Sequence, residues 1–235
     1  MTQALASFDT WQLVALAATI GWASGIRLYA VLFVLGGLGF LHWIELPGGL
    51  AVLAHPLVLG ASGFMCFVEF FADKIPGVDS AWDFVQTFVR IPAGAALAAS
   101  VFGESSSAWM IAAAIVGGTL AAGSHLAKSG SRAVINTSPE PFSNWAASFA
   151  EEIAVGTVLW LAFAYPLVAL FILALLVAFT IWIIPKVWRM IRAIVDRIVA
   201  FFDGTRRPGS PDGPPRGTAC APFGGSERSE RGDPP

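Results

Sequence analysis

Charged side chains within apolar stretches are the residues of this chain best able to carry chemistry. Arg90 lies ten residues beyond Ser80. Glu151 and Glu152 lie eight and nine residues beyond Ser143. At about 1.5 Å of rise per residue, all three charges sit about 12–15 Å inside predicted helices. A buried ionisable group must face a partner or a water-filled cavity. We therefore expect Arg90 to pair with one glutamate, which leaves the other as a candidate carrier of a proton or cation. The alternative is a purely structural ion pair.

Three aspartates form a second candidate site. Asp79 and Asp83 are four residues apart at the start of a predicted helix, and Asp73 precedes them in the adjoining loop. Carboxylates so placed can hold a divalent cation bound to a phosphate group. The basic residues available to hold that phosphate are Lys74, Lys128 and Arg132. The alternative is helix capping, because Ser80-Ala-Trp-Asp83 matches a capping box.

The other intramembrane polar residues complete a predicted polar core. Its members are Arg27, Glu69, Arg90, Arg132, Asn136, Glu151 and Glu152. Glu69 and Arg132 occupy equivalent places in two similar segments and have opposite charge, so we expect them to pair. The three histidines have no partner four residues away, and the chain has no P-loop and no nucleophile elbow. We therefore expect no cofactor and assign no metal site.

The polar residues fall around two segments that are 63 residues apart and share a frame. Asp73-Lys-Ile-Pro-Gly-Val-Asp-Ser-Ala-Trp82 and Asn136-Thr-Ser-Pro-Glu-Pro-Phe-Ser-Asn-Trp145 both place Pro, Ser and Trp at the same spacing after Asp or Asn. This pattern predicts an internal helix–loop–helix repeat, with units at about 50–102 and 108–164. Transport proteins often place their site between such repeats. Similar local turn chemistry is the alternative explanation.

The elements that must position these residues are membrane helices. Hydrophobic residues make up 56% of the chain and charged residues 13%, against about 25% charged in globular proteins. We predict an all-α polytopic protein with one transmembrane domain over 1–190 and about seven segments. The segments are 11–26, 28–43, 50–71, 80–102, 108–127, 143–164 and 166–184. The first two could instead be one kinked helix or two half-helices, and Pro166 should separate the last two.

The charges outside the spans predict an orientation. Residues 185–202 form a basic amphipathic helix suited to anionic lipid, and the Gly- and Pro-rich tail 203–235 should be disordered. Loops 44–49 and 103–107 contain no Lys or Arg. The positive-inside rule therefore places the N-terminus outside and the C-terminus in the cytoplasm. No basic patch interleaved with aromatic residues suggests nucleic acid. A homo-oligomer is compatible with the pattern.

Three motifs resemble those of an uncharacterised bacterial membrane family, domain of unknown function 4126. They are Ala23-Ser-Gly-Ile-Arg-Leu-Tyr29, Glu69-Phe-Phe-Ala-Asp-Lys-Ile-Pro-Gly-Val-Asp-Ser-Ala-Trp-Asp83 and Asn136-Thr-Ser-Pro-Glu-Pro-Phe-Ser-Asn144. The resemblance covers roughly residues 10–190. It implies a multi-pass protein of the inner membrane and supplies no activity, substrate or catalytic residue.

Three functions fit these residues. The first is a small transporter or channel for an ion or small solute, with its polar site between the repeats near the cytoplasmic face. The second is a magnesium-dependent enzyme acting on a phosphate-bearing lipid. The third is a non-catalytic scaffold whose charges only join helices. Transport is the leading hypothesis, so catalysis is not the expectation.

Overall fold

The computed structural model is all-helical over the part of the chain that it describes, residues 8–103, 105–137 and 141–204. It contains α1 (Thr10–Phe40), a short 3-10 helix (Gly48–Ala54), α2 (Pro56–Ala72), α3 (Val78–Val101), α4 (Ser107–Ile135), α5 (Pro141–Ala164) and α6 (Pro166–Gly204). No strand occurs among the described residues. The predicted fold class is confirmed.

Five helices are long and apolar enough to cross a membrane: α1, α3, α4, α5 and α6. At 17 residues, α2 is shorter. Large apolar side chains such as Phe64, Phe88 and Phe171 are exposed, while charged side chains such as Arg90 and Asp83 are buried. This distribution suits a protein whose outer surface is solvated by lipid. The chain is therefore a multi-pass membrane protein.

Helix α1 is broken at Arg27, where the backbone leaves helical geometry (φ −142°, ψ 74°). The first arm, 10–26, runs alongside α4 in the same direction, with Gly21 close to Gly117 and Gly25 close to Ser124. The second arm, 28–40, runs antiparallel to α2, as contacts from Phe33 to Gly63 and from Gly36 to Leu59 show. α2 and α4 run towards the same end of the bundle. The second arm of α1 therefore runs opposite to the first arm. The predicted segments 11–26 and 28–43 are these two arms.

The helices pack around α1, which contacts each of α2, α3, α4 and α5. The most extensive pairing joins α3 to α4, and small residues such as Gly94, Ala98 and Gly117 let these helices approach closely. An apolar core that includes Leu16, Ile20 and Leu35 fills the space between the helices. The network described below lies at the end of the bundle where α2 and α4 finish and α3 and α5 begin.

The C-terminal part of the chain is one long helix. α5 ends at Ala164 and α6 begins at Pro166, so Pro166 separates two helices as predicted. The predicted amphipathic helix 185–202 is the continuation of α6, which passes through Pro185 without ending. Among the described residues, 8–195 belong to one compact unit and 196–204, the last part of this helix, belong to a second. The predicted tail lies outside the described residues from 205 onward.

Two helix ends recur at the spacing of the predicted repeat. α2 and α4 end at Ala72 and Ile135, and α3 and α5 end at Val101 and Ala164, so the members of each pair are 63 residues apart. Asp73 and Asn136, which open the two similar segments, both occupy the position after the helix in right-handed helical geometry. These coincidences favour duplication, which stays a prediction.

Candidate functional site: a buried ion-pair network

Nine charged side chains from α1 to α5 form one connected network, with N–O distances of 2.5–3.7 Å. Its members are Arg27, Glu69, Asp73, Asp83, Arg90, Lys128, Arg132, Glu151 and Glu152. We call this set the buried network. Glu69 and Asp73 at the end of α2, Asp83 and Arg90 on α3, and Lys128 and Arg132 on α4 recur at helical spacing, so each pair lies on one helix face. α1 contributes Arg27 alone, and α5 contributes the adjacent Glu151 and Glu152.

Arg90 is bound by carboxylates of two helices. Its Nη2 lies 2.5 Å from Glu69 Oε1, and its Nη1 lies 2.8 Å from Asp83 Oδ1. The expected pairing of Arg90 with Glu151 or Glu152 is therefore wrong. Helical rise predicts similar depths for Arg90 and the two glutamates, but α3 packs mainly on α4 and α1, while α5 packs mainly on α1. Equal depth does not make two side chains neighbours.

Arg132 is the partner of Glu151, with Nη2 3.0 Å from Glu151 Oε1. Its Nη1 donates to the backbone carbonyls of Asp73 at 3.0 Å and Asn144 at 3.1 Å. One guanidinium thus joins the end of α2 to the beginning of α5. The expected pairing of Arg132 with Glu69 is wrong, because Glu69 binds Arg90 instead.

Arg27 and Lys128 surround the break in α1. The Arg27 guanidinium lies 3.1 Å from Asp73 and 3.4 Å from Glu152, and it donates to Ser148 Oγ at 2.6 Å. Lys128 Nζ donates to Asp73 at 2.8 Å and to the backbone carbonyl of Ile26 at 3.1 Å. A backbone carbonyl at the break thereby accepts a hydrogen bond inside the protein, as a membrane interior requires of polar backbone groups. The network and the broken helix stabilise each other.

The three aspartates of the proposed cation site have separate roles. Asp79 Oδ1 accepts from the backbone amides of Gly77 and Ser80 at 2.9 and 2.7 Å and from Asn136 at 2.7 Å. Asp73 and Asp83 are bound by arginine and lysine. Among the described residues, no three His, Cys, Asp or Glu side chains are placed to hold a metal ion. The geometry therefore gives no support to a magnesium site.

The structure differs from two further expectations, the capping box at Ser80 and the place of Lys74 in the phosphate site. Helix α3 begins at Val78, with Gly77 before it, so Ser80 is not the capping residue and the proposed capping box with Asp83 is not formed. Lys74 lies apart from the buried network, with its ammonium group 2.9 Å from the centre of the Phe70 ring. Such a contact is a cation–π interaction.

Sequence reasoning missed several neutral members of the site. His125 is buried, hydrogen-bonded to Thr87 at 2.7 Å and 3.2 Å from Arg90 Nη1. Ser148 is buried against Arg27, and the Asn144 side-chain amide donates to Asn136. The sequence spacing could have identified two of these residues. His125 precedes Lys128 by three residues on α4, and Ser148 precedes Glu151 by three residues on α5. Each therefore lies on the same helix face as a charged residue that the sequence analysis names.

The charges of the buried network do not balance. Five carboxylates face four basic groups, which gives a formal charge of −1 when all are ionised. Seven of the nine side chains are at most 2% exposed, whereas Glu151 is 14% and Glu152 is 32% exposed. The ion pair of Glu152 is with Arg27, at 3.4 Å. The surplus carboxylate therefore lies at the accessible edge, and Glu152 is the member bound least.

A cavity of about 340 Å³ reaches the network between α1, α4, α5 and α6. Lys128 and Glu151 contribute its charged end, and residues such as Trp22, Ile26 and Phe179 form apolar walls. The network can therefore be approached from this side.

The fold and the site define a class: a multi-pass helical membrane protein built around a buried, unbalanced ion network. Residues 14–186 match the model of a family described as Domain of unknown function (DUF4126), and the chain belongs to that family. No curated protein and no solved structure matches the chain.

Proposed function

We propose that this protein moves a proton or a small cation through the membrane, using the buried network as its site and Glu152 as the exchanging carboxylate. The observation that carries the proposal is the surplus carboxylate in a network assembled around a broken helix. Ionisable groups inside membrane helices are costly and typically mark ion paths. Discontinuous helices at such sites are a recurring device of transporters, because freed backbone groups and charges there coordinate ions.

The proposal includes a membrane and an orientation. The protein acts in the inner membrane of a bacterium, with the buried network towards the cytoplasm. The loops without Lys or Arg and the basic end of α6 support this placement. The exposed Lys186, Arg189 and Arg192 then meet anionic lipid head groups of the inner leaflet.

The test is ion flux into liposomes that contain the purified protein. A pH-sensitive dye inside the vesicles reports proton entry under an imposed membrane potential, and alkali-cation dyes report the alternatives. We expect Glu152→Gln to reduce flux at least about tenfold, because a neutral amide cannot exchange a proton or hold a cation. The folded yield should change little, since Glu152 is the most exposed member of the network.

The matched control is Glu45→Gln, which neutralises an exposed carboxylate outside the network and should leave flux unchanged. A scaffold is the second candidate, favoured by the many ion pairs that join different helices. It predicts no flux above that of empty vesicles for the wild type, and that result would overturn the transport proposal.

A further inference from the structure

Among the described residues, His125 is the histidine that lies inside the bundle, and its ring contacts the buried network. Its side chain is 1% exposed, whereas His42 and His55 are exposed. Its Nδ1 atom lies 3.2 Å from Nη1 of Arg90, and its Nε2 atom lies 2.7 Å from Oγ1 of Thr87. Buried polar atoms are hydrogen-bonded as a rule, so these two contacts together indicate how the ring is protonated.

The hydrogen bond between His125 and Arg90 has one possible direction. A guanidinium group only donates, so Nδ1 of His125 accepts and carries no hydrogen. A hydrogen on Nδ1 would face an Arg90 N–H group across the 3.2 Å between the two nitrogens. The backbone carbonyl of Gly25 also lies near the ring, but an Nδ1–H directed at it would keep that contact between two donors.

The contacts at the other ring nitrogen fit the same assignment. Thr87 Oγ1 donates its own hydrogen to the backbone carbonyl of Asp83 at 3.0 Å, so its lone pairs accept from Nε2–H. Ser129 Oγ, 3.4 Å from Nε2, donates to the His125 carbonyl at 2.9 Å and likewise offers lone pairs. The hydrogen-bond pattern therefore fits a neutral ring with its hydrogen on Nε2.

A neutral acceptor holds Arg90 without adding charge. Nη2 of Arg90 binds Glu69, and Nη1 binds both Asp83 and His125. Acceptors on both arms of the planar guanidinium fix its orientation. A third carboxylate in place of the imidazole would add a further negative charge to a network that already carries −1.

The orientation of Arg90 determines where the surplus negative charge lies. Among the described residues, the ion pair of Glu69 is with Arg90 alone, and both side chains are fully buried. If Arg90 turned away, Glu69 would become a buried, unpaired carboxylate, which is costly and is relieved when the group takes up a proton. Glu69 would then compete with Glu152 as the exchanging carboxylate. A fixed Arg90 keeps the surplus at the accessible edge, where Glu152 is 32% exposed.

We propose that His125 is a positioning residue of the transport site. Its neutral ring, with the hydrogen on Nε2, holds Arg90 against the carboxylates of Glu69 and Asp83. The exchangeable charge therefore stays at Glu152. The inference rests on the proposed function, since it names the residue that orders the network for ion exchange. His125 itself neither binds nor carries the ion.

Two substitutions of matched shape separate the acceptor from the volume of the side chain. Asn and Leu branch at the same carbon, and the Asn side-chain oxygen can take the place of Nδ1, whereas Leu offers no acceptor. In the liposome assay, flux is divided by the amount of folded protein. We expect His125→Asn to stay within about twofold of the wild type and His125→Leu to lose at least about tenfold, because only Leu removes a hydrogen bond to a charged group.

The matched control is His42→Asn, which changes an exposed histidine outside the network and should leave flux unchanged. Asn tolerates the left-handed backbone of that position, where φ is 56°. Equal flux from the folded Asn and Leu variants of His125 would overturn the proposal.

A spectroscopic measurement tests the hydrogen bond without reference to flux. In a variant with His42→Asn and His55→Asn, His125 is the remaining histidine of the chain. Nitrogen NMR of this full-length protein, isotope-labelled at histidine and held in lipid nanodiscs, distinguishes protonated from unprotonated ring nitrogens. We expect a protonated Nε2 and an unprotonated Nδ1 at neutral pH. A protonated Nδ1 would overturn the proposal even where the His125 variants do not fold, since Arg90 could not donate to it.

The two proposals fail in distinguishable ways. A ring protonated at Nε2 in a protein that moves no ion would overturn transport while the hydrogen bond from Arg90 to His125 stands. Ion flux that persists at the wild-type level in folded His125→Leu would overturn the positioning role and leave transport standing.

Discussion

Arg90 is the basic side chain of the network that is most dependent on its partners, because it is fully buried and bound on two sides by Glu69 and Asp83. Removing one partner from a buried pair typically costs about 3–5 kcal/mol, since the other charge is left unpaired. We expect Arg90→Ala to lower the unfolding temperature and the folded yield in detergent. Thermal unfolding followed by tryptophan fluorescence measures the effect.

The second variant distinguishes which carboxylate Arg90 neutralises. Among the described residues, the ion pair of Glu69 is with Arg90 alone, whereas Glu151 makes no ion pair with Arg90 and is bound by Arg27, Lys128 and Arg132. Adding Glu69→Gln to Arg90→Ala should therefore recover part of the stability, and adding Glu151→Gln should not. Equal rescue by both would show that the assigned pairing is wrong.

The membership of the network could be predicted from the sequence in part, but its pairing could not. Six of its members belong to the predicted polar core, because the cost of burying a charge in a membrane indicates that such a group has a partner or contacts water. The sequence analysis assigned the other three, Asp73, Asp83 and Lys128, to a separate cation and phosphate site, and the structure joins them to the core. Pairing depends on which helices are neighbours, and helical rise gives depth only. Arg90 and Glu151 have similar depth, yet Glu69 from α2 reaches Arg90 first.

Helix α1 sets the arrangement of the other elements. Its first arm approaches α4 through Gly21 and Gly25, so that the backbones nearly touch, and its second arm carries Gly37 with open space beside it. Small residues at the contact are what permit such close approach between membrane helices. The glycines of one helix therefore provide both a test position and its control.

We expect Gly21→Ala to destabilise the protein by about 1–3 kcal/mol, the usual cost of overpacking. A Cβ at that position would lie 2.6 Å from Gly117 Cα, a backbone atom that cannot move alone. Gly37→Ala adds the same methyl group where nothing lies within 4 Å and should change the stability by less than about 1 kcal/mol. Denaturation in mixed micelles compares the two. Equal effects would contradict the packing of the first arm on α4.

The break in α1 lay within reach of sequence reasoning only in part. Two short apolar segments flanking Ser24-Gly25-Ile26-Arg27 indicated a junction, but composition alone cannot distinguish one kinked helix from two arms. Tertiary contacts determine that the helix breaks here. The carbonyl of Ile26 accepts a hydrogen bond from Lys128, which is 102 residues away in sequence, and the local sequence pattern does not indicate such a partner.

At the scale of the whole molecule, charge and loop position divide the bundle into two ends. The 3-10 helix after α1 contacts the turn after α3, with Gly49 against Gly103, so loops 44–49 and 103–107 lie at one end. The buried network, with its four basic groups, lies at the other. The positive-inside rule counts basic residues near the ends of spans, and both short loops lack them.

We therefore predict that the loop end faces outward and the network end faces the cytoplasm. Single cysteines at Gly48→Cys and Ser106→Cys, each in a background with Cys66→Ser and Cys220→Ser, should react with a membrane-impermeant maleimide on intact cells. Native Cys220, tested with Cys66→Ser alone, should react only after the cells are permeabilised, because the basic end of α6 precedes it. Labelling of Cys220 on intact cells, with protection at positions 48 and 106, would invert the orientation. The buried network would then open to the outside, and an ion carried through it would enter from that face.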